Sequence, residues 1–104
     1  MTDSVKRALD TYIEYISGQE GVLQIYLFGS FADGTPHEHS DIDLMVIVDD
    51  SQHTGKMAVR ISKGLATREV PLDILVNRKT TFYKAAENLT IQNTIKNTGV
   101  LMYG

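Results

Sequence analysis

Three aspartates stand where a carboxylate is expensive to keep without a task. Asp41 and Asp43 are two residues apart at the head of an apolar run, and Asp73 opens another such run after Pro71. In an extended segment the side chains at i and i+2 point to the same face, with Cα atoms about 6.5–7 Å apart at strand rise. Two carboxylates so placed can share hard cations, and the paired metals of phosphoryl-transfer sites sit ~3.5–4 Å apart. If the two runs are neighbouring strands, Asp73 closes the same site. A lone aspartate near a strand start is more often a turn former. Asp43 resists that reading because it directly precedes Leu44-Met45-Val46-Ile47-Val48, where an unpartnered carboxylate is partly desolvated.

Gly29-Ser30 is the second element with chemical potential. It closes one apolar run and opens a short segment that Gly34-Thr35-Pro36 stops. A strand-to-helix junction presents free backbone N–H groups to an anion. Glycine lets a phosphate approach the backbone, and a serine hydroxyl can donate to it. Taken alone, the dipeptide is a common turn.

These residues need a scaffold, and hydrophobic periodicity supplies one. Val5, Leu9, Tyr12, Ile13 and Ile16 predict a helix, with Asp3 or Ser4 as its cap and Gly18 as its end. Val22 to Phe28 predicts a strand, Ser30 to Asp33 one helical turn, and His37 to Ser40 a polar loop. Ile42 to Val48 predicts a strand covered on both faces, ended by Asp49-Asp50-Ser51. Met57, Ile61 and Leu65 predict a helix from about Thr54 to Ala66. Leu72 to Val76 predicts a third strand. A last helical region, capped by Thr80 or Thr81, carries Phe82, Ala85, Ala86, Leu89, Ile91 and Ile95. Gly99 is its expected C′ stop, with Lys96 in the last turn. The order α-β-α-β-α-β-α gives an α/β domain with a small sheet, in two or three layers. With 104 residues, the whole chain, 1–104, is expected to be a single domain, with no room for a separate substrate-binding domain.

Composition narrows the function classes. The net charge of −3 and scattered basic residues disfavour bulk nucleic-acid binding. The absence of cysteine removes disulfides, thiol catalysis and Cys-based zinc sites, and fits a reducing cytoplasm. No signal peptide is visible, and no apolar run is long enough to span a bilayer.

Together these elements form a specific pattern. Gly29-Ser30, ten residues, then Asp41-Ile42-Asp43 resembles the Gly-Ser-x10-Asp-x-Asp signature of the DNA polymerase beta-like nucleotidyltransferases. The string GSFADGTPHEHSDIDL resembles the minimal nucleotidyltransferases of that superfamily. Asp73 in PLDILV matches the family's third aspartate, and Ile95 to Tyr103 resembles its terminal pattern.

The resemblance implies a nucleotidyltransferase fold, a small mixed β-sheet flanked by helices. It implies that Gly29 and Ser30 hold a triphosphate. Asp41 and Asp43 would bind two Mg²⁺ ions, and Asp73 would help bind the ion that activates the acceptor hydroxyl. Small members of the family often accompany a helical HEPN partner as toxin and antitoxin. There the nucleotidyltransferase moves AMP from ATP to a partner tyrosine. The resemblance therefore implies ATP as substrate and a HEPN-type protein as partner, and leaves oligomerisation open. The alternatives are an antitoxin that only binds, and a small-molecule nucleotidyltransferase of the antibiotic-modifying kind.

One position departs from the family. Members often carry Arg or Lys where this chain has Asp33, which reverses the charge near the expected triphosphate. Lys56, Arg60 and Lys63, or Arg78 and Lys79, are the candidates to compensate, although solvated surface is the commoner role for such residues. His37, His39 and His53 are weak candidates in expected loops. Thr54-Gly55-Lys56 fails as a Walker A ending, because Asp50 stands where glycine is needed and Met57 follows the lysine. The five tyrosines read as core or interface aromatics rather than bases.

Overall fold

The computed structural model describes residues 1–36, 40–66 and 69–104. Four strands form one mixed sheet in the order β3-β2-β1-β4. β1 (Val22–Phe28) is antiparallel to both β2 (Ile42–Val48) and β4 (Val100–Tyr103), whereas β2 and β3 (Leu72–Arg78) are parallel. The parallel pair requires a crossover, which α3 (Thr54–Gly64) makes.

Alternation along the strands sends side chains to two faces. On one face Ile25, Leu27, Ile42, Leu44, Val46 and Val48 pack with Leu9, Tyr12 and Ile16 of α1 (Asp3–Ser17) and Met57 and Ile61 of α3. On the other, Met45 and Ile47 pack with Phe82 of α4 (Lys79–Ala85) and Ile95 of α5 (Ile91–Thr98). All five residues from Leu44 to Val48 are buried, as a central strand covered on both sides requires. The first cluster is the larger core, and the second covers only part of its face.

The seven expected elements are present in order, and α5 and β4 follow them. The last helical region is not continuous. It breaks after Ala85, and Thr90 caps α5 by accepting from Asn93 N at 3.1 Å. Neither Thr80 nor Thr81 caps α4. Its first turn is instead tied by Asp50, whose carboxylate accepts from Thr80 N at 3.0 Å and from the Thr80 hydroxyl. Thr2, not Asp3 or Ser4, caps α1 through Val5 N.

Gly99 ends α5 in extended, not left-handed, conformation, with φ −71°. Its value is close approach: a Cβ there would lie 2.5 Å from the Ile95 carbonyl oxygen. Among the described residues no helix is long and apolar enough to cross a membrane.

Candidate active site

The site begins with strand register. Asp43 stands beside Asp73 in the parallel β2–β3 pair and opposite Phe28 in the antiparallel β1–β2 pair. Neighbouring strands are about 4.8 Å apart, so the two carboxylates leave the sheet side by side on the face that α4 and α5 cover only in part. Asp43 is half-buried and Asp73 exposed. The extended pairing continues one step back, where Ile42 N donates to Pro71 O at 2.9 Å. That brings Asp41, half-buried, to the same end of the strand.

Electrostatics report the proximity. The Asp43 carboxyl is held above its ordinary value, first by burial, then by the charge of Asp73, then by that of Asp41. Each of these disfavours the ionised form. Among the described residues, no three acidic or imidazole side chains are drawn together tightly enough to hold an ion. The three carboxylates are adjacent, close enough for Asp73 and Asp41 to disfavour ionisation of Asp43. As a donor set, three carboxylate oxygens suit a hard cation such as Mg²⁺. Positive charge there would relieve the repulsion that Asp43 feels.

Gly29 completes the wall. It caps α2 (Ser30–Asp33) with φ +75°, a conformation that favours glycine. A Cβ on it would sit 2.2 Å from Asp43 Oδ2. The first turn of α2 forms on Gly29 O, which accepts from Ala32 N at 3.0 Å and Asp33 N at 3.1 Å. Gly29 and Ser30 therefore adjoin the aspartates despite the intervening residues. The sequence pattern linked Gly29 to Asp43 as parts of one motif, but the direct contact between them was not legible in it.

The expected compensating cations are elsewhere. Lys56, Arg60 and Lys63 belong to α3, whose Met57 and Ile61 pack on the opposite sheet face. Arg78 lies five residues along β3 from Asp73, about 16 Å at strand rise, and its Nε donates to Gln52 O at 2.8 Å. Lys79 follows at that same distant end.

Asp33 has a local task. Its Oδ1 accepts from Thr35 N at 3.0 Å and from the Thr35 hydroxyl, bracing the turn through Gly34. His53 caps α3 by accepting from Lys56 N at 3.1 Å, and His37 and His39 lie outside the described residues. Tyr12 is buried and donates to Val70 O at 2.6 Å. Tyr83 donates to Gln24 Oε1 at 2.6 Å.

Comparison with known proteins places the chain in a family and a fold. A family model described as polymerase beta, nucleotidyltransferase, matches residues 10–104. No curated protein matches. Among solved structures, a candidate nucleotidyltransferase from Sulfolobus solfataricus superposes with TM-score 0.61 at 17% identity, over 97% of this chain and 86% of that one. A toxin-antitoxin with AMP-PNP gives 0.53 at 18%, and a mutant of the toxin-antitoxin MntA-HpeT gives 0.55 at 19%. Each of these two matches covers 99% of this chain and 74% of the other. At such identities the likeness is one of fold.

Proposed function

The chain belongs to the polymerase beta nucleotidyltransferase family, and on that premise we propose that it transfers AMP from ATP to a hydroxyl of a protein partner. The partner is a helical HEPN-type toxin, the acceptor one of its tyrosines, and this chain the antitoxin, acting in the cytoplasm. The observation that carries the reading is the register of Asp43 beside Asp73, with Asp41 coupled to Asp43 and Gly29 against its carboxylate.

Asp41, Asp43 and Asp73 would hold two Mg²⁺ ions, which when bound neutralise triphosphate charge and orient the displacement. The backbone at Gly29 and the Ser30 hydroxyl hold the triphosphate at the start of α2. The acceptor oxygen approaches over Asp73, the exposed member of the set. It bonds to the α-phosphorus as the bond to the bridging oxygen breaks. Pyrophosphate leaves, and the hydroxyl proton passes to the Asp73 carboxylate, over which the acceptor sits, and reaches solvent when the partner departs. A docking partner excludes water from that side, which strengthens every charge interaction within it.

Two neighbours in fold support the setting. Both are described as toxin-antitoxin, and one was solved with AMP-PNP, an analogue of ATP. Binding without transfer is the competing reading, and what speaks for it is Asp33, which sets negative charge near the expected triphosphate. The deciding experiment is labelled-AMP incorporation into the co-purified partner, with Mg²⁺ and with chelator. Incorporation that requires Mg²⁺ and vanishes in Asp43→Asn supports transfer. No label from any nucleoside triphosphate, with neutralisation of the partner equal in wild type and Asp43→Asn, leaves binding alone.

A further inference from the structure

The helical layer on the far side of the sheet carries charge that the molecule itself leaves unused. α3 contains Lys56, Arg60 and Lys63 and no acidic residue. At i, i+4 and i+7 these share one helical face. Val59 stands among them and is 54% exposed. On α1, Asp3, Asp10 and Glu14 lie on the side opposite the buried Leu9, Tyr12 and Ile16. Arg7 is the basic residue within that acidic stripe, with Lys6 at its margin, and Arg7 borders a groove shared with Glu69. All six stripe residues, three on each helix, are exposed. Among the described residues, none of their side chains makes a hydrogen bond or ion pair.

The two stripes lie side by side. Tyr15 of α1 reaches the Arg60 carbonyl oxygen at 3.5 Å, and its ring fills the space beside Gly64. α1 leads into β1, α3 leaves β2, and those strands are antiparallel, so the helices run antiparallel too. The layer thus carries a charge pattern and its complement. We infer that this face pairs with a second copy of the chain about a two-fold axis running along the helices. α1 of each copy then lies on α3 of the other, acidic stripe on basic stripe. An axis across the helices would set like on like, so charge selects the arrangement, as a self-complementary interface requires.

Size sets the strength. The helices have 15 and 11 residues, so the patch is roughly 20 Å long and 20 Å wide. That is below the ~800 Å² per partner of a standard interface. The dimer is therefore weak, driven by charge and sensitive to salt within a Debye length of about 10 Å at 0.1 M. It occupies the face away from Asp43, so both candidate sites stay open and the inference does not depend on the proposed reaction.

Charge exchange tests it. Sedimentation equilibrium of the full chain at low ionic strength should show a monomer–dimer equilibrium that shifts to monomer in high salt. Lys56→Glu/Lys63→Glu and Asp10→Lys/Glu14→Lys should each weaken dimerisation on the order of tenfold or more. Mixed in equal amounts, the two variants should dimerise again, because both stripe contacts become attractive. All substituted residues are exposed, and circular dichroism confirms that each variant is folded. A wild type monomeric at every salt concentration overturns the inference, as does a mixture that stays monomeric. Retention of an acidic peptide by a wild type that never self-associates would also overturn it, in favour of a foreign acidic partner.

Discussion

Strand β2 has two aspartates at its start, Asp41 and Asp43, and two just past its end, Asp49 and Asp50. Asp43 is in the opposite electrostatic state to Asp49 and Asp50. Asp49 is held below its ordinary value, chiefly by the hydrogen bond from the Ser51 side chain. Asp50 is lowered in the same way by Thr80. Asp43 is raised, by burial and by two carboxylate neighbours. One end of the strand has its charges satisfied by hydroxyls and backbone N–H groups, which closes turns and starts α4. At the other end, the described residues that act on the Asp43 carboxylate only disfavour its charge. Folding alone would not maintain the second arrangement, since unpaired charge beside charge lowers stability. The contrast separates carboxylates that build the fold from carboxylates that the proposed reaction would use.

Substitution at each end sharpens that contrast. Asp43→Asn should lower transfer by on the order of 10²-fold or more, comparable to removing a key electrostatic group from other sites, without lowering the thermal midpoint of the metal-free protein. Asp50→Ala should do the reverse, lowering the midpoint through loss of the α4 cap while transfer in the folded protein is unchanged. Paired melting curves and AMP-transfer assays check both, and a matching response at the two ends would break the distinction.

Gly29→Ala should act on both quantities. With φ +75° and ψ −157°, Gly29 occupies a region open essentially only to glycine, where a Cβ costs about 1–3 kcal/mol, and that Cβ would displace Asp43 Oδ2 from 2.2 Å away. Denaturant titration should show the stability loss, and transfer should fall further than stability explains.

The pH dependence has a fixed sign. Asp43 is raised above its ordinary value of 3.8, so its contribution to stability is full below that pH. The contribution is lost as pH rises through the folded value. Asp43→Asn should thus gain on the metal-free wild type as pH rises above 3.8, and Mg²⁺ should shrink the gap. Asp49 and Asp50 are lowered, so their contribution is present above the ordinary value of 3.8 and lost as pH falls below it through their lowered folded values. Urea midpoints measured across acid pH, for wild type, Asp43→Asn and Asp50→Asn, resolve the two signs.

The smallest effect falls on Asp33. Asp33→Asn keeps an oxygen for Thr35 N and removes the charge, so ATP affinity should rise by no more than about fivefold, the scale of one exposed charge. Asp33→Arg also loses the turn contact. Calorimetric titration with ATP compares them, and a clear loss of affinity in the folded Asn variant would give the Asp33 charge a positive role.

Much of the fold was legible because it is written locally. β1 and β2 begin and end where their apolar runs do, and the i, i+2 spacing of Asp41 and Asp43 needs only strand geometry. What was illegible is non-local. β4 is four residues long and is defined by pairing with β1, a partner some seventy positions earlier. The Asp50 cap on α4 spans 30 residues, so Asp49-Asp50-Ser51 read only as a strand terminator. Thr90 with Asn93 did carry a local capping signal for α5, but the apolar spacing from Phe82 to Ile95 masked the break. The basic residues of α3 could be placed on a helix from sequence, but not on the far side of the sheet from Asp43.

The parallel register of β2 and β3 has a consequence for quality control. Side chains alternate along a strand, so slipping β3 by one residue would set Leu72 or Ile74 beside Asp43 and turn Asp73 toward the packed layer of α1 and α3. A misthreaded molecule would therefore lack the carboxylate pair altogether. If the proposed reaction is right, activity amounts to a count of correctly assembled chains, and a stoichiometric active-site titration would measure folding fidelity molecule by molecule.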